Sequence, residues 1–226
     1  MKTYGEYCPV AKAAEVLGDR WTLLIVRDML FGPIGFNELA RGLPGISRGV
    51  LSARIRHLQR LGLVERPDSG VGYQLSGPGR HLTDVVRMLG DWAARWIIDD
   101  PTQAELDPDL LVLWISRHLA ADQLPTQKAV VAFELSGPRP GRLWLVLDPG
   151  GGSICHEDPG LDPARYVYLR GQTAALYRVY MGRSSLADER STGQVQLSGT
   201  PALIHALPTW FTWSNFAPTV RAAAAA

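Results

Sequence analysis

The segment 47–61, SRGVLSARIRHLQRL, constrains this chain more than any other stretch. At 100° per residue Leu51, Ile55, Leu58 and Leu61 gather on one side of a helix, and that side has to face a core. Arg48, Gly49, Ser52, Ala53, Arg56 and Arg60 gather on the other side. Ser47 supplies a capping oxygen at the start and Gly62 a stop at the end. Just upstream, FNELARG at 36–42 reads as a short helix, and Leu43-Pro44-Gly45 as a tight turn. A short helix, a tight turn and a second helix together predict a steep crossing. Guanidinium groups separated by small side chains suit the major groove of a duplex: small residues permit close approach, and arginine bonds a guanine edge or a phosphate.

The flanks fit a winged arrangement. Residues 9–18, PVAKAAEVLG, begin with proline and end with glycine, as helices do. A second helix is expected at 21–31, capped by Asp19 and stopped by Gly32-Pro33. After Gly62, residues 63–66 and 73–75 read as two strands around a Pro67-Asp68-Ser69-Gly70 turn, a hairpin wing whose base carries Arg66 within reach of phosphate. A long amphipathic helix follows at about 80–98, with Leu82, Val85, Val86, Leu89, Trp92, Ala93 and Trp96 at three- and four-residue steps. That stripe packs either inside the chain or, with the N-terminal helix, against a second copy.

Residues 7–98 resemble the HxlR family of bacterial transcription regulators. The resemblance is carried by Cys-Pro at 8–9, Gly-x-Arg-Trp at 18–21, Phe-x-Glu-Leu at 36–39, Pro-Gly-Ile-Ser at 44–47 and Leu-x-x-Arg-Ile at 51–55, in that order, and by YQLSGPGRHLTDVVRMLGDW further on. It implies a homodimeric winged helix on a pseudo-palindromic operator of double-stranded DNA. It carries the reading role onto Ser47, Arg48, Ser52, Arg54 and Arg56. Gly49, Arg60 and Arg66 join that set from the helical wheel and the wing, whereas Arg54 sits beside the apolar side. The wing is short, with Asp68 and no basic residue at its tip. Some members of the family use a cysteine matching Cys8 as an oxidant or electrophile sensor; the alternative for Cys8 is a small buried residue beside the dimer interface.

The second half is of another kind. Domain boundaries are expected at 1–98 for the winged helix, 99–106 for a linker around Asp99-Asp100-Pro101-Thr102, 107–221 for an α+β domain and 222–226 for an alanine tail. Helices are expected at 108–120, 172–182, 184–190 and from 201, and strands at 129–135, 142–147, 153–156, 165–169 and 194–198. An opening antiparallel hairpin followed by mixed helices and strands argues for an α+β class. This half resembles the sterol-carrier-protein type 2 fold, through the hairpin AVVAFEL…RLWLVLD and the stretch from YVYLRG to LPTWF. That resemblance implies a cavity for an apolar small molecule. Trp144, Tyr166, Tyr177, Trp210, Phe211 and Trp213 are the candidate lining residues, although aromatics of this kind also fill ordinary cores.

Charge divides in the same place. Residues 1–98 carry thirteen Lys and Arg against nine Asp and Glu, a net +4, and the remainder carries ten against thirteen, a net −3. The cationic half is the one with the DNA-reading pattern. Two cysteines are too few for a disulfide framework or a four-cysteine metal site, and no cofactor motif is present. No Ser-His-Asp order, H-E-x-x-H or phosphate-binding glycine loop appears, so no enzyme is expected. The N-terminus lacks the apolar core of a secretory signal and no run is long enough to span a bilayer, from which a cytoplasmic protein without membrane partners is expected. The leading expectation is a repressor whose DNA affinity responds to an apolar ligand. The alternative is a ligand-binding protein in which the winged helix serves dimerisation alone.

Overall fold

The computed structural model describes residues 3–224, so Ala225 and Ala226 of the expected tail lie outside the described residues. The chain forms two compact units, Met1–Gly90 and Asp91–Ala226.

The first unit opens with α1 (Pro9–Leu17), with Cys8 at its N-cap position and Pro9 as its first residue. Then come α2 (Thr22–Met29), α3 (Phe36–Arg41) and α4 (Arg48–Arg60). The wing is β1 (Val64–Glu65) against β2 (Gln74–Leu75), antiparallel, with an added bridge between Ile34 and Tyr73. One core joins Ile25, Val26 and Met29 of α2, Leu39 of α3, Leu51, Ile55 and Leu58 of α4, and Val64 and Leu75 of the wing. Leu61 departs from the wheel: the helix ends at Arg60, and Leu61 is 42% exposed just beyond it. Asp19 also departs from expectation. The position before α2 is Trp21 with no side-chain cap, the turn is closed by Thr22 N–H donating to the Asp19 carbonyl (3.0 Å), and the Asp19 carboxylate is taken by Arg54.

The stretch expected as one helix at 80–98 is two. Ser76 accepts from Gly79 N–H to cap a single turn, α5 (Gly77–Arg80), and α6 (Thr83–Trp96) follows. On α6, Leu82 just before its start and Val86 pack against the first core, whereas Val85, Met88, Leu89, Trp92 and Trp96 are exposed.

The second unit is built on a five-stranded sheet. After α7 (Pro108–Ser116) come β3 (Ala129–Ser136), β4 (Gly141–Asp148), β5 (Gly151–Cys155) and β6 (Tyr166–Gln172). Then follow α8 (Thr173–Met181), α9 (Leu186–Ser191), β7 (Val195–Gly199), α10 (Pro201–Ala206) and α11 (Ala217–Ala224). The sheet order is β5-β4-β3-β6-β7; β3 and β6 are parallel and every other pair is antiparallel. The run AVVAFEL is apolar on both faces because β3 is the central strand. Val131, Phe133, Leu143, Leu145, Val167 and Leu169 face the main core with the helices, while Val130, Ala132 and Tyr166 face a smaller cluster on the other side.

Two boundaries differ from expectation for a physical reason. The helix expected to reach residue 120 stops at Ser116 because His118–Ala120 pair with the 210–212 segment: Ala120 N–H donates to the Trp210 carbonyl and Thr212 N–H to the His118 carbonyl, both at 2.9 Å. At the C-terminal end, Ala222–Ala224 form the last turn of α11, which is anchored by buried Ala217 and Val220.

Candidate nucleic-acid interface

The turn between α3 and α4 depends on Gly45, whose φ of +84° disfavours any residue with a Cβ. Ile46 N–H donates to the Leu43 carbonyl (3.1 Å), and Ser47 Oγ then accepts from Val50 N–H (3.2 Å), which starts α4. Leu51, Ile55 and Leu58 are each no more than 1% exposed, so the rotation of α4 about its axis is fixed by its core side. Replacing any one with alanine would cost about 2–5 kcal/mol.

That rotation turns Arg48, Gly49, Ala53, Arg56 and Arg60 to solvent with half-buried Ser52 between them. The guanidiniums are held rather than loose. Arg48 donates to Asn37 Oδ1 of α3 (2.9 Å) and lies 4.9 Å from the centre of the Phe36 ring. Arg56 donates to Ser52 Oγ (2.7 Å), and Arg60 Nη2 sits 3.5 Å from His57 Nδ1. No acidic residue occurs in α4, so this face carries no internal charge compensation.

Two of the expected DNA-binding residues stand apart. Arg54 is turned toward Asp19 of the first unit and ion-paired with it, about a third exposed. Arg66 is built into the wing: it donates to the Gly72 carbonyl (2.8 Å) and Tyr73 Oη (3.1 Å), and its guanidinium is 4.1 Å from the Tyr73 ring centre. Gly72 cannot carry a side chain, since its φ is +85° and a Cβ would meet the Ile34 carbonyl oxygen at 2.8 Å. Asn37 and Phe36, which position Arg48, were not among the sequence-predicted residues. The signal for them is their place on the first turn of α3, next to the start of α4. Cys8 is half-buried at the head of α1, with its thiol free.

The six aromatics expected to line one cavity do not come together. Trp144 and Tyr166 belong to the cluster on one face of the sheet, and Trp210, Phe211, Tyr177 and Trp213 to the core on the other. The register accounts for this. Trp144 pairs with Ala132 and Tyr166 with Val130, and side chains two apart along a strand share a face. Tyr166 is moreover tied up, donating to Asp158 Oδ1 (2.5 Å) and accepting from Leu161 N–H (3.0 Å). Among the described residues, no group of three His, Cys, Asp or Glu side chains could hold a metal, and no helix is long and apolar enough to cross a membrane.

A short helix, a glycine turn, a core-locked basic helix and a hairpin wing define a winged helix-turn-helix. Comparison with known proteins agrees: the model of the HxlR-like helix-turn-helix family matches residues 16–101. The HTH-type transcriptional regulator YvaP of Bacillus subtilis is 37% identical over 103 residues, which are 43% of this chain and 94% of YvaP. The regulator MT3179 of Mycobacterium tuberculosis is 42% identical over 93 residues, 39% of this chain, and the chain spans only 58% of its length. YodB of B. subtilis is 32% identical over 104 residues, 43% of this chain and 93% of YodB. Among solved structures, quinone-bound YodB aligns at 33% identity with a TM-score of 0.37, covering 40% of this chain and all of that one. The redox regulator HypR in its reduced form aligns at 30% identity with a TM-score of 0.36, covering 38% of this chain and 90% of HypR. The chain belongs to the HxlR-like helix-turn-helix family.

Proposed function

We propose that this protein is a dimeric transcription repressor that reads a pseudo-palindromic DNA operator with α4 and whose DNA affinity is set by a small molecule bound in the second unit. The carrying observation is the outward face of α4: Arg48, Arg56 and Arg60, each positioned by a neighbour, with Gly49, Ser52 and Ala53 between them and no carboxylate on the helix. Ser47, Arg48, Gly49, Ser52 and Arg56 face base edges and phosphates, and Arg60 and Arg66 reach phosphate. Arg54 contributes through its ion pair with Asp19, which orients the helix.

The dimer reading is supported by the apolar stripe left exposed on α6 and by Tyr4, Tyr7 and Val10, which are 65%, 97% and 75% exposed at the N-terminal end. A two-fold dimer presents two copies of α4 to successive turns of one face of a duplex, which is what a palindromic site requires. The ligand reading is supported by the mixed sheet with helices of the second unit, whose order of elements suits the sterol-carrier-like resemblance.

The deciding experiment is binding of the full chain to duplexes covering the promoters next to its own gene, followed by footprinting. A protected site with two-fold symmetry is the expected result. No preference for any such site over random duplex would remove the regulator reading and leave the alternative, a ligand-binding protein that uses its winged helix to dimerise.

A further inference from the structure

We propose that the second unit carries a binding site for an amphipathic organic anion, an aromatic carboxylate, in the groove between α8–α9 and the segment 207–221. The regulatory consequence of the site rests on the ligand-responsive reading above; the site itself rests on the geometry that follows.

The groove is open on one side and has a volume of about 850 Å³, within the size range of small-molecule sites. Val179, Leu186 and Ala217 give it an apolar floor, Trp213 stands at its wall, and Arg190 and Arg221 line it. Its charge is one-sided. The Asp188 carboxylate is committed to the cap of α9, accepting from Ser185 N–H (3.1 Å) and Ser185 Oγ (2.6 Å). Arg183, also on the wall, is taken by Asp100 (2.5 Å) and the Ile98 carbonyl (3.0 Å). Arg190 and Arg221 form no ion pair among the described residues. Arg221 is also placed: with Ala217 it packs over Gly182 at the end of α8, where a Cβ would meet Ala217 Cβ at 2.6 Å and Arg221 Nη1 at 2.8 Å.

Trp213 supplies the second observation. It is the one non-glycine residue at positive φ (+57°) among the described residues. Both neighbours pin the backbone, with Thr212 N–H donating to the His118 carbonyl (2.9 Å) and Ser214 N–H to the Tyr180 carbonyl (3.0 Å). An aromatic residue held in a conformation that L residues avoid, with its side chain at the wall of a groove, is the kind of strain found at ligand sites. An indole offers a flat apolar surface to an aromatic body, and the exposed guanidiniums of Arg190 and Arg221 on the groove lining offer donors to a carboxylate. A neutral apolar ligand would leave both guanidiniums unmatched, and inorganic phosphate would leave the indole and the floor unused.

The test is calorimetric titration of the full chain with 2-naphthoate, with the neutral isostere 2-naphthalenemethanol and with inorganic phosphate. Naphthoate is expected to bind once per chain, at least about tenfold tighter than the alcohol or phosphate. Arg190→Ala and Arg221→Ala are each expected to weaken naphthoate by about five- to twentyfold and to leave the alcohol unchanged. Trp213→Ala should weaken both organic probes, with circular dichroism confirming that the variant is folded. No heat with naphthoate up to about 5 mM, equal binding of the alcohol or of phosphate, or unaltered binding in both arginine variants overturns the site. DNA affinity measured with and without naphthoate separates the two ideas: naphthoate binding that leaves DNA affinity unchanged supports the site and removes only the sensor reading.

Discussion

Trp213 and His118 are single residues of the second unit that each carry a measurable constraint, one of backbone conformation and one of burial. For Trp213 the constraint is backbone conformation, at φ +57°. Glycine tolerates that region and alanine does not, so Trp213→Gly should be more stable than Trp213→Ala by about 1 kcal/mol, the reverse of the usual order. Chemical denaturation of the two variants checks this, and equal midpoints would mean that the strain is relieved by local relaxation. For His118 the constraint is burial. The side chain is 6% exposed, with Nδ1 2.8 Å from the Trp114 carbonyl and 3.5 Å from Tyr180 Oη. Burial pushes its pKa below the ordinary 6.5, the Trp114 carbonyl opposes that, and the Arg117 charge adds to it. The folded state therefore binds this proton less readily than the unfolded state. The associated stability is complete above about pH 6.5 and is lost as pH falls from there toward the folded pKa. Thermal melts at pH 7.5 and 5.5 should show the second unit losing stability on acidification. His118→Gln should flatten that loss, and an unchanged pH slope in the variant would assign it to other groups.

At the scale of elements, legibility in the sequence followed period. The rotation of α4 could be read from Leu51, Ile55 and Leu58 because a 3.6-residue repeat over thirteen residues leaves one answer. Arg54 was ambiguous because it lies at the edge of that stripe, and only the tertiary neighbour, Asp19, decides where it points. In the second unit, the strands were legible but not their order. The parallel pairing of β3 with β6 joins segments more than thirty residues apart, as in Val131 with Val167, and no local pattern encodes it. The aromatics were misgrouped for a related reason: their type suggests a pocket, but the face of the sheet each one occupies depends on its position in its strand. The α6 stripe is legible as apolar with two possible partners, the chain itself or a second copy, and the chain leaves Val85, Met88, Leu89, Trp92 and Trp96 exposed. If Val85, Met88, Leu89, Trp92 and Trp96 close a dimer, Trp92→Glu should give monomers in light scattering. It should also lower operator affinity by about a hundredfold or more, since two half-sites would no longer be held by one molecule. A Trp92→Glu dimer would place the interface elsewhere.

For the whole molecule, the net charge of +1 hides the asymmetry that matters for DNA. A nearly neutral chain gains little from long-range attraction to a polyanion, so its affinity has to come from contacts that displace counterions at the reading face. Each phosphate neutralised contributes about 0.9 to the slope of log affinity against log salt concentration, whatever the base sequence. Arg56 and Arg60 stand toward the middle and end of α4, and Arg48 at its start, where a recognition helix meets base edges. The double variant Arg56→Ala/Arg60→Ala takes four guanidiniums from a dimer on its site and is therefore expected to lose affinity on operator and random duplex alike, with the salt slope falling by about 3.6. Arg48→Ala is expected to behave differently, losing about 1–3 kcal/mol per half-site of the operator and much less on random duplex, with specificity relaxing at one position of each half-site. Fluorescence anisotropy over a salt series separates the two patterns. If Arg48→Ala reduces binding to both duplexes equally and also flattens the slope, Arg48 holds phosphate, and the Asn37 bond orients it toward the backbone rather than the groove floor.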